Sequence, residues 1–221
     1  MNDMPEIDGL YLDADGRLRD ARGRAYDAAA HRWRDASADA DAVASAPGPK
    51  HTTLTAIDAM GWLQRRSGHP LRTPVGVIGP RDATDAQLEA ARAVGAGLAR
   101  IGLIVVCGGR HGVMQAVAHG VAQAGGLSIG LLPDATPELA NPHLSVVLAT
   151  GLGEARNAVV ARSASCLVAI GDSYGTLSEV ALGLQFGKRV FGLEGAARVE
   201  GVEHLPTPDA AVDAVARHLL D

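Results

Sequence analysis

The sequence predicts an α/β protein with a Rossmann-like, open and mostly parallel sheet of about six strands and helices on both faces. From Pro74 onward, short apolar runs alternate with longer helical stretches, which is the pattern of βαβ units. Hydrophobic residues make up 47% of the chain but aromatic residues only 3%, and small aliphatic side chains suit parallel strands packed closely against helices. The length of 221 residues fits one Rossmann-like nucleotide-binding domain, residues 71–221, preceded by an extension over residues 1–70.

The strands and helices of the domain follow from the apolar runs and the stretches between them. The predicted strands are Val75–Gly79, Leu103–Cys107, Ser128–Leu132, Ser145–Leu148, Cys166–Ile170 and Arg189–Leu193. The predicted helices are Asp85–Arg100, His111–Ala124, Glu154–Ala164 and Gly175–Phe186. Right-handed crossovers then give a parallel sheet covered on both faces. We recognise no internal repeat along the chain.

The extension begins with a hairpin signal. Two short alternating runs, Leu10–Asp13 and Arg17–Asp20, flank an Asp-Gly dipeptide, which is typical of a tight turn between antiparallel strands. The acidic residues of this turn lack the third acidic position and the closing glutamate of a calcium loop. We therefore predict a plain turn and no metal site.

The rest of the extension is predicted to be a linker and a short helix. Residues 36–49 are rich in Ala, Asp, Ser, Pro and Gly and have no apolar periodicity, which is typical of a linker. Thr52 or Thr53 can cap a helix that ends at Gln64, with apolar residues along one face. No function is predicted for the extension beyond covering part of the core or an oligomer surface.

Charge and composition exclude several classes of partner. The formal net charge of −5 and the pI near 5.9 provide no basic field for nucleic acid. No apolar stretch reaches the length of a membrane span, and residues 1–7 lack the apolar core of a signal peptide. Cys107 and Cys166 each lie inside an apolar run and form no metal or disulfide pattern. We therefore expect a cytoplasmic protein with a small ligand.

Three glycine-rich loops follow predicted strands and are expected to meet at one edge of the sheet, where open α/β sheets bind ligands. They are Gly79–Arg81, Gly108–Gly112 and Gly171–Thr176. Glycine at one βα turn often has only a steric reason, but three such loops at one edge predict a phosphate site. Thr176 lies at the start of its helix and can offer both its N–H and its hydroxyl to a phosphate. The candidate phosphate-binding residues are Gly79, Arg81, Gly108, Gly109, Ser173, Tyr174, Gly175 and Thr176.

The common nucleotide motifs do not explain these loops. No GxGxxG follows the first predicted strand, and no GxxxxGK[ST] occurs in the sequence, so neither an NAD dehydrogenase nor a P-loop ATPase is supported. Arg156 starts the helix before the fifth strand, and Glu179 lies one turn inside the helix after it. A guanidinium and a carboxylate at this rim can stabilise an oxocarbenium-like state during N-glycosidic cleavage. The alternative is a surface or buried structural ion pair.

The stretch from Arg156 to Glu179 resembles the Lonely Guy (LOG) family of cytokinin-activating phosphoribohydrolases. The 23 positions between these two residues match the family's spacing from catalytic arginine to catalytic glutamate, and Gly171–Thr176 is similar to the family's Pro-Gly-Gly-x-Gly-Thr. The loop after the second strand also resembles a family loop. The resemblance implies that Arg156 and Glu179 are catalytic and that the following helix contributes to a homodimer or a higher even oligomer.

Departures from the family pattern keep a second function open. Asn157 replaces the family's lysine, Gly171-Asp172-Ser173 replaces Pro-Gly-Gly, and Gly79-Pro80-Arg81 replaces a Gly-Ser signature. With these changes, the sequence resembles more closely the branch of the superfamily that includes molybdenum cofactor carrier proteins. The hypotheses are a nucleoside 5′-monophosphate phosphoribohydrolase and a non-catalytic nucleotide or molybdenum-cofactor carrier. In both, Asn157 joins the ligand-binding residues, and the ligand is a nucleoside monophosphate or a phosphate-bearing pterin, with no other cofactor required.

Overall fold

A computed structural model describes residues 9–35 and 52–221 of the chain. It divides into two compact units: Met1–Leu71 together with Ala216–Asp221, and Arg72–Val215. The predicted linker over residues 36–49 lies outside the described residues. Within the described ranges, every helix is too short or too polar to cross a lipid bilayer.

The first unit contains a five-stranded antiparallel sheet in the order β4-β3-β2-β1-β5. The strands are β1 (Leu10–Leu12), β2 (Leu18–Arg19), β3 (Ala25–Asp27), β4 (Arg32–Arg34) and β5 (Thr52–Leu54). Helix α1 (Ala56–Arg65) begins after Thr55, which forms a capping box with Asp58. Thr52 and Thr53, the expected caps, instead pair with β1, as suits β-branched residues that find a strand partner.

Three consecutive turns of this sheet share one construction, based on Asp13, Asp20 and Asp27. In each turn, the aspartate Oδ1 accepts two backbone N–H groups of the residues that follow, at 2.9 to 3.1 Å. Each carboxylate also pairs with an arginine; these partners are Arg19, Arg24 and Arg34. The aspartates recur every seven residues, so the first unit contains a short repeat that the sequence analysis missed.

The second unit contains a seven-stranded sheet in the order β12-β11-β10-β6-β7-β8-β9, and every neighbouring pair is parallel. Its strands are β6 (Val75–Ile78), β7 (Val105–Cys107), β8 (Ser128–Leu132), β9 (Val146–Ala149), β10 (Leu167–Ile170), β11 (Val190–Leu193) and β12 (Val202–His204). Its helices are α2 (Asp85–Arg100), α3 (Val113–Gln123), α4 (Arg156–Ser163) and α5 (Tyr174–Gln185). The residues of α6 (Pro208–Leu220) up to Val215 also belong to it.

The predicted Rossmann-like α/β class is confirmed, and the observed sheet has one strand more than expected. The additional strand, β12, has only three residues, two of them Glu203 and His204, so it lacks the apolar run that marks the other strands. Strands β6, β10 and β11 are buried along their whole length, as expected for parallel strands covered on both faces.

The strand order places a topological switch between β6 and β10. From β6 the chain proceeds outward through β7 and β8 to β9, and it then returns to the other side of β6 to form β10. The loops after β6 and β10 therefore diverge, which opens a crevice at the carboxyl ends of the strands. The crevice is where a doubly wound sheet binds its ligand.

Candidate ligand-binding site

A cavity of about 310 Å³ lies at this switch point. Its walls come from the loops after β6, β7, β8 and β10 and from the first residues of α4 and α5. The volume is at the lower end of the range for small-molecule sites. The cavity therefore has the size for one small ligand.

Most of the predicted site residues meet in this cavity although they are far apart in the sequence. Nine of the eleven line it, namely Gly79, Arg81, Gly108, Arg156, Asn157, Ser173, Gly175, Thr176 and Glu179. Gly109 and Tyr174 are not among the lining residues. The Gly109 carbonyl accepts the backbone and side-chain N–H groups of Asn141 at 3.0 and 3.1 Å, and the Tyr174 side chain is 95% exposed.

Arg156 and Glu179 form a buried pair beside the cavity. Arg156 Nη1 donates to Glu179 Oε1 at 3.2 Å and to Asn157 Oδ1 at 2.8 Å. All three residues are at most 6% exposed. Arg156 Nε is buried and has no hydrogen-bond partner among the described residues. A buried guanidinium N–H without an acceptor is costly, so this group is suited to receive an acceptor from a ligand.

The Glu179 carboxyl group titrates near neutrality. Burial raises its pKa to about 7, the Arg156 guanidinium opposes this shift, and the charge of Glu154 adds to it. A carboxyl group with such a pKa exchanges protons readily at physiological pH. The pair can therefore present different net charges to a ligand over a narrow pH range.

Gly108 is required by the position of Arg156. A Cβ atom at residue 108 would lie 2.5 Å from Nη2 and 2.6 Å from Nη1 of Arg156, and 2.6 Å from the Met114 sulfur. These separations are too short for any side chain. The glycine expected to cradle a phosphate therefore makes room for the guanidinium of Arg156.

The N-terminus of α5 borders the cavity and favours an anion through its N–H groups and helix dipole. Ser173 is the N-cap, and its Oγ accepts the Thr176 N–H at 3.1 Å and lies 2.9 Å from the Thr176 hydroxyl. Both Thr176 groups that we expected to face a ligand are thus engaged with Ser173. At Gly175 a Cβ atom would meet nothing closer than 3.8 Å, so a ligand group can approach the backbone there.

Asn157 links the helices on either side of the cavity. Its Oδ1 accepts from Arg156, and its Nδ2 donates to Ser178 Oγ at 3.0 Å. An asparagine supplies both an acceptor and a donor, which a lysine at this position could not do. The replacement therefore exchanges a cation for a neutral bridge that orients Arg156.

Several charged residues line the cavity although they were not predicted to belong to the site. Arg110 lines the cavity and is held by a two-point ion pair with Asp134, in which Nε donates to Oδ2 at 3.0 Å. Asp82 and Glu154 also line the cavity. Arg110 lies inside the glycine-rich loop after β7, which was a usable signal, whereas no motif marks Glu154.

The second unit matches a known family over its whole length. Residues 72–217 match the SLOG cluster4 family. A protein from Archaeoglobus fulgidus described only as uncharacterized is 37% identical over 139 residues, which cover 63% of this chain and 91% of that protein.

Two solved structures are each similar to about two thirds of the chain. The molybdenum cofactor binding protein from Rippkaea orientalis is 33% identical, with a TM-score of 0.63, over 66% of this chain and 96% of that chain. The molybdenum cofactor carrier protein from Chlamydomonas reinhardtii is 34% identical, with a TM-score of 0.61, over 67% and 98% of the two chains. These similarities confirm the branch that the sequence resemblance indicated, and the chain belongs to the SLOG cluster4 family.

Proposed function

We propose that this protein binds the molybdenum cofactor, or a closely related phosphate-bearing pterin, in the switch-point cavity and does not turn it over. The observation that carries the proposal is the buried Arg156 guanidinium, whose Nε has no partner among the described residues, together with the N-terminus of α5, where a ligand group can approach the backbone at Gly175. Together they offer a charged donor and a helix dipole to one phosphate group. The two similar structures, from Rippkaea orientalis and Chlamydomonas reinhardtii, are proteins that bind or carry this cofactor.

Replacement of the family's lysine by Asn157 favours binding over cleavage. An enzyme that breaks an N-glycosidic bond must stabilise charge that develops in the transition state. Here the Arg156 charge is already shared with Glu179 at 3.2 Å, and Asn157 supplies no second cation. The site can hold a phosphate without being arranged for that charge development.

The proposal is tested by what the protein retains during purification. We expect full-length protein from cells that make the molybdenum cofactor to contain a pterin, measured as its fluorescent oxidised product. Arg156→Ala should reduce the pterin content by roughly tenfold or more, the equivalent of one charge-assisted hydrogen bond. The control, Arg198→Ala, changes an exposed arginine outside the cavity and should retain the pterin. No pterin in the unmodified protein, or equal content in both variants, would contradict the proposal.

One observation favours a second candidate, hydrolysis of the N-glycosidic bond of a nucleoside 5′-monophosphate. The Glu179 carboxyl group lines the cavity, and its pKa of about 7 suits a general acid or base. In this reaction water adds to the anomeric carbon, the bond to the base breaks, and the base leaves with a proton. Incubation with a panel of nucleoside monophosphates distinguishes the candidates, because release of free base that Glu179→Gln abolishes would establish the hydrolase.

A further inference from the structure

Three of the residues that line the cavity, Met114, Pro133 and Glu154, supply apolar surface and a carboxylate. The Gly153 N–H donates to the Pro133 carbonyl at 2.9 Å, which holds Glu154 beside the end of β8. The Met114 sulfur and the Arg156 guanidinium both lie against Gly108. Apolar side chains and one acceptor are thus grouped next to Arg156.

Glu154 is an exposed residue whose carboxylate accepts no hydrogen bond in the described parts of the chain. It lies in the electrostatic field of Arg110 and Glu179, since its charge raises the pKa of both, but the hydrogen bonds of Arg110 are directed to Asp134. A carboxylate in an anion-binding cavity repels an anionic ligand unless that ligand also brings N–H donors. Arg156 lines the same cavity, and its buried Nε has no partner among the described residues, which independently indicates a ligand.

We propose that Glu154 binds the N–H edge of a fused 2-amino-4-oxo pyrimidine ring, the edge that pterins and guanine share, while the ligand's phosphate lies at α5. The ring N–H and the exocyclic amino group can donate to the two carboxylate oxygens in parallel. Met114 and Pro133 supply the apolar surface that a flat heterocycle requires. This inference rests on the proposed function and names the part of the ligand that determines specificity.

The other two unpaired acidic residues of the cavity are less suited to this task. Asp172 directly precedes the N-cap of α5, and Asp82 follows β6, so both belong to the loops of the switch point where the anion is expected. Glu154 belongs to the segment held against β8. In the proposed binding mode, the phosphate lies at α5 and the ring extends toward Glu154.

The test compares nucleotides that differ only in this edge. GMP and IMP share every atom except the 2-amino group, and AMP lacks both donors. We expect calorimetry on the full-length protein to show GMP binding roughly tenfold more tightly than IMP, the usual effect of one lost hydrogen bond to a charged group, and more tightly still than AMP, which loses two. Glu154→Gln should weaken the binding of GMP by a similar factor and nearly abolish the preference for GMP over IMP. Glu200→Gln, which changes an exposed carboxylate outside the cavity, is the control.

Dihydroneopterin monophosphate, a pterin with a phosphate, distinguishes a pterin ligand from a guanine nucleotide, since both carry the same N–H edge. If the protein binds this pterin and Glu154→Gln weakens the binding, both proposals are supported. If the protein binds GMP but not the pterin, the role of Glu154 is supported and a pterin ligand is contradicted. If the pterin binds and Glu154→Gln binds it equally well, only the inference on Glu154 is overturned. If the unmodified protein binds none of these compounds, the proposed function and the inference both fail.

Discussion

The guanidinium of Arg156 occupies the space that any side chain at Gly108 would need. A Cβ atom at residue 108 would lie 2.5 Å from Nη2 of Arg156, although Gly108 follows β7 and Arg156 begins α4. The closest approach is to the end of a flexible side chain, so a larger residue would displace the arginine before it disrupted the fold. The shape of the loop after β7 therefore determines whether Arg156 can face the cavity.

Gly108→Ala should separate ligand binding from folding. The added methyl group displaces the guanidinium, so we expect the retained pterin to fall by roughly tenfold while the yield of folded protein stays similar. Gly61→Ala is the matched control, because a Cβ atom at residue 61 meets nothing within 4 Å. Pterin content unchanged from that of the control would show that the contact between Gly108 and Arg156 has no role in binding.

The raised pKa of Glu179 predicts a specific dependence of stability on pH. Because the folded-state pKa is about 7 and the ordinary value is 4.5, the folded protein retains this proton at pH values where the unfolded chain has lost it. The contribution of Glu179 to stability is therefore largest below pH 4.5 and declines as the pH rises to about 7, by at most about 1.4 kcal/mol per pH unit.

Urea unfolding of the unmodified protein and of Glu179→Gln at pH 5, 6, 7 and 8 measures this effect. Glutamine does not titrate. The unfolding free energy of the unmodified protein should therefore fall relative to that of Glu179→Gln as the pH rises to about 7, and the difference should then level off. A difference that is constant with pH would mean that the Glu179 carboxyl titrates as an exposed one does.

Asn141 supports the loop that contributes Arg110 to the cavity. It is 2% exposed, and its Nδ2 donates to the carbonyls of Gly109 and Arg110, each at 3.1 Å. Asn141→Ala removes the side-chain donor, and the part-buried Arg110 carbonyl loses this partner while the Gly109 carbonyl keeps the backbone N–H of residue 141, so we expect a loss of roughly 1 kcal/mol in unfolding free energy. Chemical denaturation checks this, and a loss below about 0.5 kcal/mol would be that of an ordinary surface substitution.

The repeated turns of the first unit predict a graded effect of removing their aspartates. Asp20 is 2% exposed, accepts the backbone N–H groups of Arg22 and Arg24 and pairs with the Arg24 side chain at 2.7 Å. The equivalent Asp27 turn is more exposed. Asp20→Ala should therefore destabilise the first unit by more than Asp27→Ala, which limited proteolysis can measure. Equal susceptibility of the two variants would contradict this order.

The fold could be predicted because each buried strand is an apolar run between helical patterns. Strand β12 was missed because Val202–His204 is mostly polar, and its pairing with β11 depends on residues distant in sequence. Thr52 and Thr53 were expected at a helix start for the same reason: their pairing with β1 cannot be seen locally. The homodimer implied by the resemblance stays a prediction.

The site could be predicted only where a loop carried a recognisable pattern. Arg156 and Glu179 were identified by their spacing, and the structure places them 3.2 Å apart. The engagement of Thr176 by Ser173 is a local N-cap within one segment, which the serine three residues before Thr176 could have indicated. The need for glycine at residue 108 and the position of Glu154 depend on contacts between separate segments. No pattern within one segment records such contacts, so composition and spacing could not reveal them.

The central claim is that the switch-point cavity binds a phosphate-bearing pterin through Arg156. The most direct measurement is an anaerobic equilibrium titration of the pterin-free protein with molybdenum cofactor freshly released from a molybdoenzyme. We predict saturable binding of one cofactor per chain, retained in Arg198→Ala and weakened by roughly tenfold or more in Arg156→Ala. Absence of saturable binding, or equal affinity in the two variants, would contradict the claim.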